Sequence, residues 1–231
     1  MVGFLLVAAT FLGDPALTPG SPGGVWTVEQ QWALLRATAR VTAGEDQPPF
    51  GTAVCVAVKN DSAYLLTADH VLVRGEARIY DFYTEASYPK PSETIFDSDV
   101  VLRMPECDAA LIRCKWRDRA PGVAKLAAWE KRPIRYPVQA AALGCPNGSA
   151  PQWRSDRVLA RRYVRKSEDL GGFFWETETK PTGGMSGGPL FDTQGRLLGV
   201  CSAAHGTKGF FTHLDELLAA LKRNGYGWVV E

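Results

Sequence analysis

Residues 183–192 read GGMSGGPLFD, a single hydroxyl, Ser186, set among four glycines, with a proline and an apolar pair behind them. Glycine takes positive φ without strain and lets another group approach the main chain closely, so the backbone turns sharply where Ser186 projects. A serine nucleophile needs this arrangement. The carbonyl it attacks must lie about 3 Å both from Oγ and from backbone N–H groups that receive the developing negative charge. The N–H groups of Gly184 and Ser186 are the candidate donors. A glycine turn between two ordinary strands would give a similar string, so the flanking residues have to decide.

Downstream come a second turn, TQG at 193–195, and a second apolar strand, RLLGV at 196–200. The extended pattern, GxSGGP followed by strand, turn and strand, resembles the chymotrypsin-like (trypsin-like) serine peptidases. Their bacterial, disulfide-poor, high-temperature-requirement branch is the nearest in pattern. The resemblance implies an all-β chain of two six-stranded antiparallel β-barrels with the active site between them, plus a short N-terminal and a C-terminal helix. It also implies a His and an Asp upstream of the Ser, in that order. His70 closes AYLLTADHVL, which is similar to the family's LTAAH or LTNNH, and is the candidate general base. His205 and His213 follow Ser186 and so stand in the wrong order. Asp108 in CDAALIRC matches the family's D-x-A-L strand. Asp99 in SDVVL is its rival, since it too precedes an apolar run, but the PE turn before Asp108 and the basic residues after it suit the last strand of a first barrel.

The same resemblance assigns the substrate-binding walls. VCSAA supplies Cys201, Ser202, Ala203 and Ala204, with Ser202 against the triad carboxylate, and GFFT supplies Gly209 opposite. Lys180, six residues before Ser186, holds the position of the pocket floor in digestive relatives, where a buried ammonium would select acidic side chains. An unpaired buried Lys is costly, and a Lys able to reach water does so. The small walls then favour cleavage after small or medium apolar residues. Met185 stands where those relatives carry an Asp that pairs with a freed terminal amine, so the turn is expected to be held by packing or induced by substrate.

At 231 residues, 45% hydrophobic and 22% charged, the chain suits one domain of two lobes. Its net charge of +1 gives no electrostatic case for nucleic acid, and no apolar run is long enough to span a bilayer. The expected partner is a polypeptide substrate, with no cofactor or metal. The five cysteines form no zinc pattern. Cys107 and Cys114, on one extended segment, would stand roughly 23 Å apart, so most of the five are expected as buried free thiols. Residues 2–13 resemble the apolar part of an export signal without a basic flank, which points to a secreted or envelope protein, with a cytoplasmic one as the alternative.

Residues 14–26 read as a Pro/Gly linker. The peptidase domain is expected over 27–224, beginning with a helix capped by Thr27 and Gln30 whose apolar face is Val28, Trp32, Leu34 and Leu35. The first barrel occupies about 37–116, the crossover 117–135 and the second barrel about 135–212. A closing helix over about 213–224 carries Leu214, Leu217, Leu218 and Leu221, with Gly225 as its stop. No length remains for the PDZ domain usual in the high-temperature-requirement branch. The rival to an enzyme is a peptidase fold kept as a binding module that holds peptides by strand addition. The intact His, Asp and Ser oppose it.

Overall fold

The computed structural model describes residues 25–43, 51–72, 78–116, 121–127, 136–165 and 171–230. The apolar leader, residues 14–24 of the linker, residues 44–50 and much of the crossover lie outside the described residues. Trp26, expected as linker, belongs to the core instead: it is 4% exposed, meets Trp153 edge-on at 5.3 Å and donates its indole N–H to Asp192 O at 3.0 Å.

Helix α1 (Val28–Arg36) has the expected cap, with Thr27 Oγ accepting from Gln30 N and the Gln30 side chain accepting from Thr27 N. Its buried face differs from the expected one. Val28 is 42% exposed, and Gln31 is buried in its place, its amide donating to Trp26 O at 3.4 Å.

The first lobe contains β1 (Thr38–Thr42), β2 (Gly51–Lys59), β3 (Ser62–Thr67), β4 (Ile79–Phe82), β5 (Glu93–Ile95), β6 (Ser98–Met104) and β7 (Ala109–Lys115). They pair antiparallel in the order β5-β4-β1-β2-β3-β7-β6. There are seven strands rather than six because ETIFDSDVVLRM breaks at Phe96, which is 66% exposed, and Asp97, whose carbonyl accepts from Lys115 N. Those two residues are all that join the sheet's two edge strands. A link that short spans at most about 10 Å, so the sheet curls until its edges nearly meet.

The second lobe contains β8 (Val138–Gly144), β9 (Gln152–Arg165), β10 (Gly171–Thr177), β11 (Pro189–Asp192), β12 (Leu197–His205) and β13 (Lys208–Thr212). They close into a barrel in the order β10-β13-β12-β11-β8-β9. On β10, Phe174, Trp175 and Thr177 are buried, while Phe173 is half-buried beneath the Arg161 guanidinium. Helix α3 (Leu214–Arg223) buries Leu214, Leu217 and Leu221, leaves Leu218 half-buried, and ends before Gly225 at φ +80°.

Several strands are apolar on both faces, and the packing shows why. Along β2, β3 and β7, Ala53, Cys55, Leu65, Ile112 and Cys114 fill the first lobe's interior, while Val54, Leu66 and Leu111 face the other way. The latter meet Ala141, Leu143, Phe191 and Val200 of the second lobe, together with Leu35, Leu217 and Leu221 of the helices, in one shared layer. A strand buried on both faces reads as a continuous apolar run. All five cysteines are buried, and none forms a disulfide.

Candidate active site

Strand β3 delivers Leu65, Leu66, Thr67 and Ala68 into fully buried positions, then turns into the single helical turn α2 (Asp69–Leu72). His70 therefore leaves the core at a fixed point, with its side chain 45% exposed. Asp108 ends the turn that precedes β7, in the left-handed conformation at φ +53°, which Asp tolerates better than most residues. The second lobe secures it: Thr212 Oγ1 donates to the preceding carbonyl, Cys107 O, at 2.7 Å, and Ser202 Oγ donates to Asp108 Oδ2.

Asp108 accepts from His70 twice, from the backbone N–H at 3.1 Å and from Nδ1 at 2.9 Å. With Nδ1–H committed to the carboxylate, Nε2 is left as an acceptor, and it lies 2.9 Å from Ser186 Oγ. His70, Asp108 and Ser186 thus form one chain of hydrogen bonds across the cleft. Asp99 takes no part in it. Its carboxylate is 61% exposed on β6, paired with Arg113 at 2.6 Å.

The turn around Ser186 is defined by where its peptide groups go. Met185 N donates to Thr182 O, Gly187 N to Cys201 O and Gly188 N to Met185 O, at 3.1, 2.7 and 2.9 Å. Among the described residues, the N–H groups of Gly184 and Ser186 find no acceptor. Gly184 has φ +90°, and a Cβ there would collide with Cys145 O, so no other residue fits this position.

Of the residues expected to form the substrate walls, Cys201 and Gly209 are buried while Ala203 and Ala204 are exposed. β11 pairs with β12 only as far as Pro189 opposite Val200. Among the described residues, the edge of β12 beyond Cys201 on that side is free for an added strand. Lys180 is exposed rather than buried, and its carbonyl accepts from Arg154 Nη1 at 2.8 Å. Below this loop, Arg154 Nη2 pairs with Asp156 Oδ2 at 3.2 Å, and Asp156 also accepts from Thr179 N at 3.1 Å. Burial raises the Asp156 pKa. Burial likewise pushes the Cys145 and Cys201 thiols up to about 12, so both stay protonated near neutral pH.

The sequence reading did not single out Thr52, Asn147, Arg154, Asp156 or Thr212. Thr52, Asn147 and Thr212 meet the site through backbone carbonyls, which carry no sequence signal, whereas Arg154 and Asp156, two apart on β9, share a face by strand alternation alone, a signal that the sequence does carry. Among the described residues, no group of His, Cys, Asp and Glu side chains is arranged to hold a metal, and no helix is long and apolar enough to cross a membrane.

A family model described as a trypsin-like peptidase domain matches residues 51–200. No curated protein matches the chain. Among solved structures, the chain is similar to the active form of the Rv3671c protease from M. tuberculosis, with a TM-score of 0.67 and 19% identity over 95% of each chain. The inactive form of that protease gives 0.66 and 20%, over 84% of this chain and 91% of the other. The MamO protease domain from Magnetospirillum magneticum, in its apo form, gives 0.62 and 18%, over 81% of this chain and 96% of the other.

Proposed function

Because the chain belongs to the trypsin-like peptidase family, we propose that it is a serine endopeptidase whose catalytic residues are His70, Asp108 and Ser186 and whose domain, expected over 27–224, also takes in the core residues Trp26 and Val229 on either side. The observation that carries this reading is the His70 ring, held by Asp108 at 2.9 Å on one nitrogen and 2.9 Å from Ser186 Oγ on the other. A substrate strand adds to the free edge of β12 and presents its scissile carbonyl to Ser186. Oγ attacks the carbonyl carbon as its proton passes to His70 Nε2. The carbonyl oxygen becomes an oxyanion accepted by Gly184 N–H and Ser186 N–H. Asp108 stabilises the imidazolium, which then gives its proton to the departing amine. A water gives its proton to His70 as it attacks the remaining ester, and His70 returns that proton to Ser186 Oγ as the acid product leaves.

Cleavage after small or medium apolar residues follows from the walls Cys201, Ala203, Ala204 and Gly209. Lys180 is exposed, and Arg154 beneath it is matched by Asp156, so neither stands as an unpaired buried cation. A peptide-library digest reads this directly. Dominant cleavage after Asp or Glu would restore Lys180 or Arg154 as the selecting group, and dominant cleavage after Lys or Arg would overturn this view of the pocket. The activity itself is tested by hydrolysis of that library with wild type and Ser186→Ala. The variant should remain folded and lose at least about 10³-fold. A wild-type chain that binds peptides without cutting them would instead be a binding module.

A further inference from the structure

Oxyanion donors contribute only if their peptide planes are held, and the hydrogen bonds of this chain identify what holds them. In a trans peptide the N–H points opposite the C=O of the same plane, so a group that grips one carbonyl aims the next residue's N–H. Gly183 O accepts from Asn147 N at 2.6 Å, which aims Gly184 N–H, and Met185 O accepts from Gly188 N at 2.9 Å, which aims Ser186 N–H. The plane between these two is gripped from the other lobe. Thr52, at the start of β2, donates its hydroxyl to Gly184 O at 2.8 Å. The same hydroxyl accepts from Cys145 N at 3.0 Å, at the root of the loop that carries Asn147. Thr52 N donates to Ser186 O at 2.8 Å, and Thr52 O accepts from Thr67 Oγ1 at 2.7 Å. Thr52 is fully buried, and every polar group it has is engaged.

Resting on the peptidase reading, we propose that Thr52 is a positioning residue for the oxyanion donors, a first-lobe hydroxyl that presets the turn at 183–187 before substrate arrives. Its two hydroxyl bonds join the nucleophile turn to the Asn147 loop. If they are lost, the Gly183–Gly184 and Gly184–Met185 planes can rotate away from the donor orientation. The reaction needs those donors most when charge develops on the carbonyl oxygen, so the loss falls on the transition state and spares ground-state binding.

The test uses the full chain, the best-cleaved peptide from a library digest, and a boronate of the same sequence as a tetrahedral mimic. Thr52→Val keeps the shape and removes the hydroxyl, and Thr52→Ser keeps the hydroxyl. Thr52→Val should lower kcat by about 10-fold to 100-fold with KM within about twofold, below the 10²–10³ typical of losing one donor outright. Boronate affinity should fall by a similar factor, and Thr52→Ser should restore both. Should Thr52→Val not fold, the smaller Thr52→Ala carries the same expectation. A folded Thr52→Val or Thr52→Ala with wild-type kcat and boronate affinity would overturn the proposal, as would a folded Thr52→Ser as defective as the valine variant. A wild-type chain that neither cuts peptide nor binds boronate would overturn the peptidase reading itself, which separates the two failures.

Discussion

Asp108 and Asp99 carry nearly the same local signal, a carboxylate before an apolar run, and only the fold separates them. Asp108 faces His70, while Asp99 faces water and Arg113. Asp108→Asn should therefore cost about 10³-fold or more in kcat, since it destabilises both the required tautomer and the imidazolium. Asp99→Asn should leave kcat within about twofold, and a swap of these outcomes in steady-state kinetics would move the catalytic carboxylate to Asp99. A second prediction concerns His213, which is 2% exposed, lies 3.9 Å from the Trp175 ring and accepts the Asp215 N–H through Nδ1. Burial lowers its pKa from 6.5 to about 4, against the opposing pull of Asp215, with Arg161 adding to the lowering. The unfolded chain then takes the proton first as pH falls. The stability contributed by neutral His213 is complete above about pH 6.5 and lost progressively towards pH 4, by about 3 kcal/mol. His213→Asn, which retains a helix cap, should flatten this part of the pH dependence in urea unfolding. A variant as acid-sensitive as wild type would refute the assignment.

At the scale of elements, what the sequence revealed and what it hid have separate causes. His70 was legible because it follows the buried run LLTA, and Ser186 because its glycines mark a change of direction just before the buried run PLF. The strands were legible because burial on both faces makes them continuous, and α3 because its leucines recur at helical spacing. The break within ETIFDSDVVLRM and the exposed Val28 were not legible, since both depend on neighbours distant in sequence. The same holds for the ties between lobes. Arg40 on β1 forms a pair with Asp81 on β4 at 2.7 Å and reaches across to Gly148 O, behind Asn147, at 2.9 Å. Asp81 is 3% exposed, so Arg40→Leu leaves a buried carboxylate without its cation and should cost about 3 kcal/mol or more in denaturant unfolding. Replacing both residues with Leu should recover much of that loss. A double variant as unstable as the sum of the two singles would show that the pair is not coupled.

For the whole molecule, the layer shared by the two lobes matters most, because Asp108 and His70 come from one lobe, and Ser186 and its amides from the other. Thr52, Thr212 and Ser202 each bond across that boundary, so the site exists only while the lobes are docked. With Met185 unable to form an ion pair and neutral groups gripping the turn, a chain lacking residues 1–24 should keep kcat within about twofold. A strict requirement for a particular N-terminal residue would contradict this, and the cut leaves Trp26 in its core position. The most direct test of the central claim is reaction with a fluorophosphonate, which modifies a serine only when its base activates it, followed by mass analysis of the peptide containing Ser186. The account predicts one adduct per chain, located on Ser186, absent in Ser186→Ala and slowed by orders of magnitude in His70→Ala. An unreactive wild-type chain, or one that labels as fast without His70 as with it, would contradict the account.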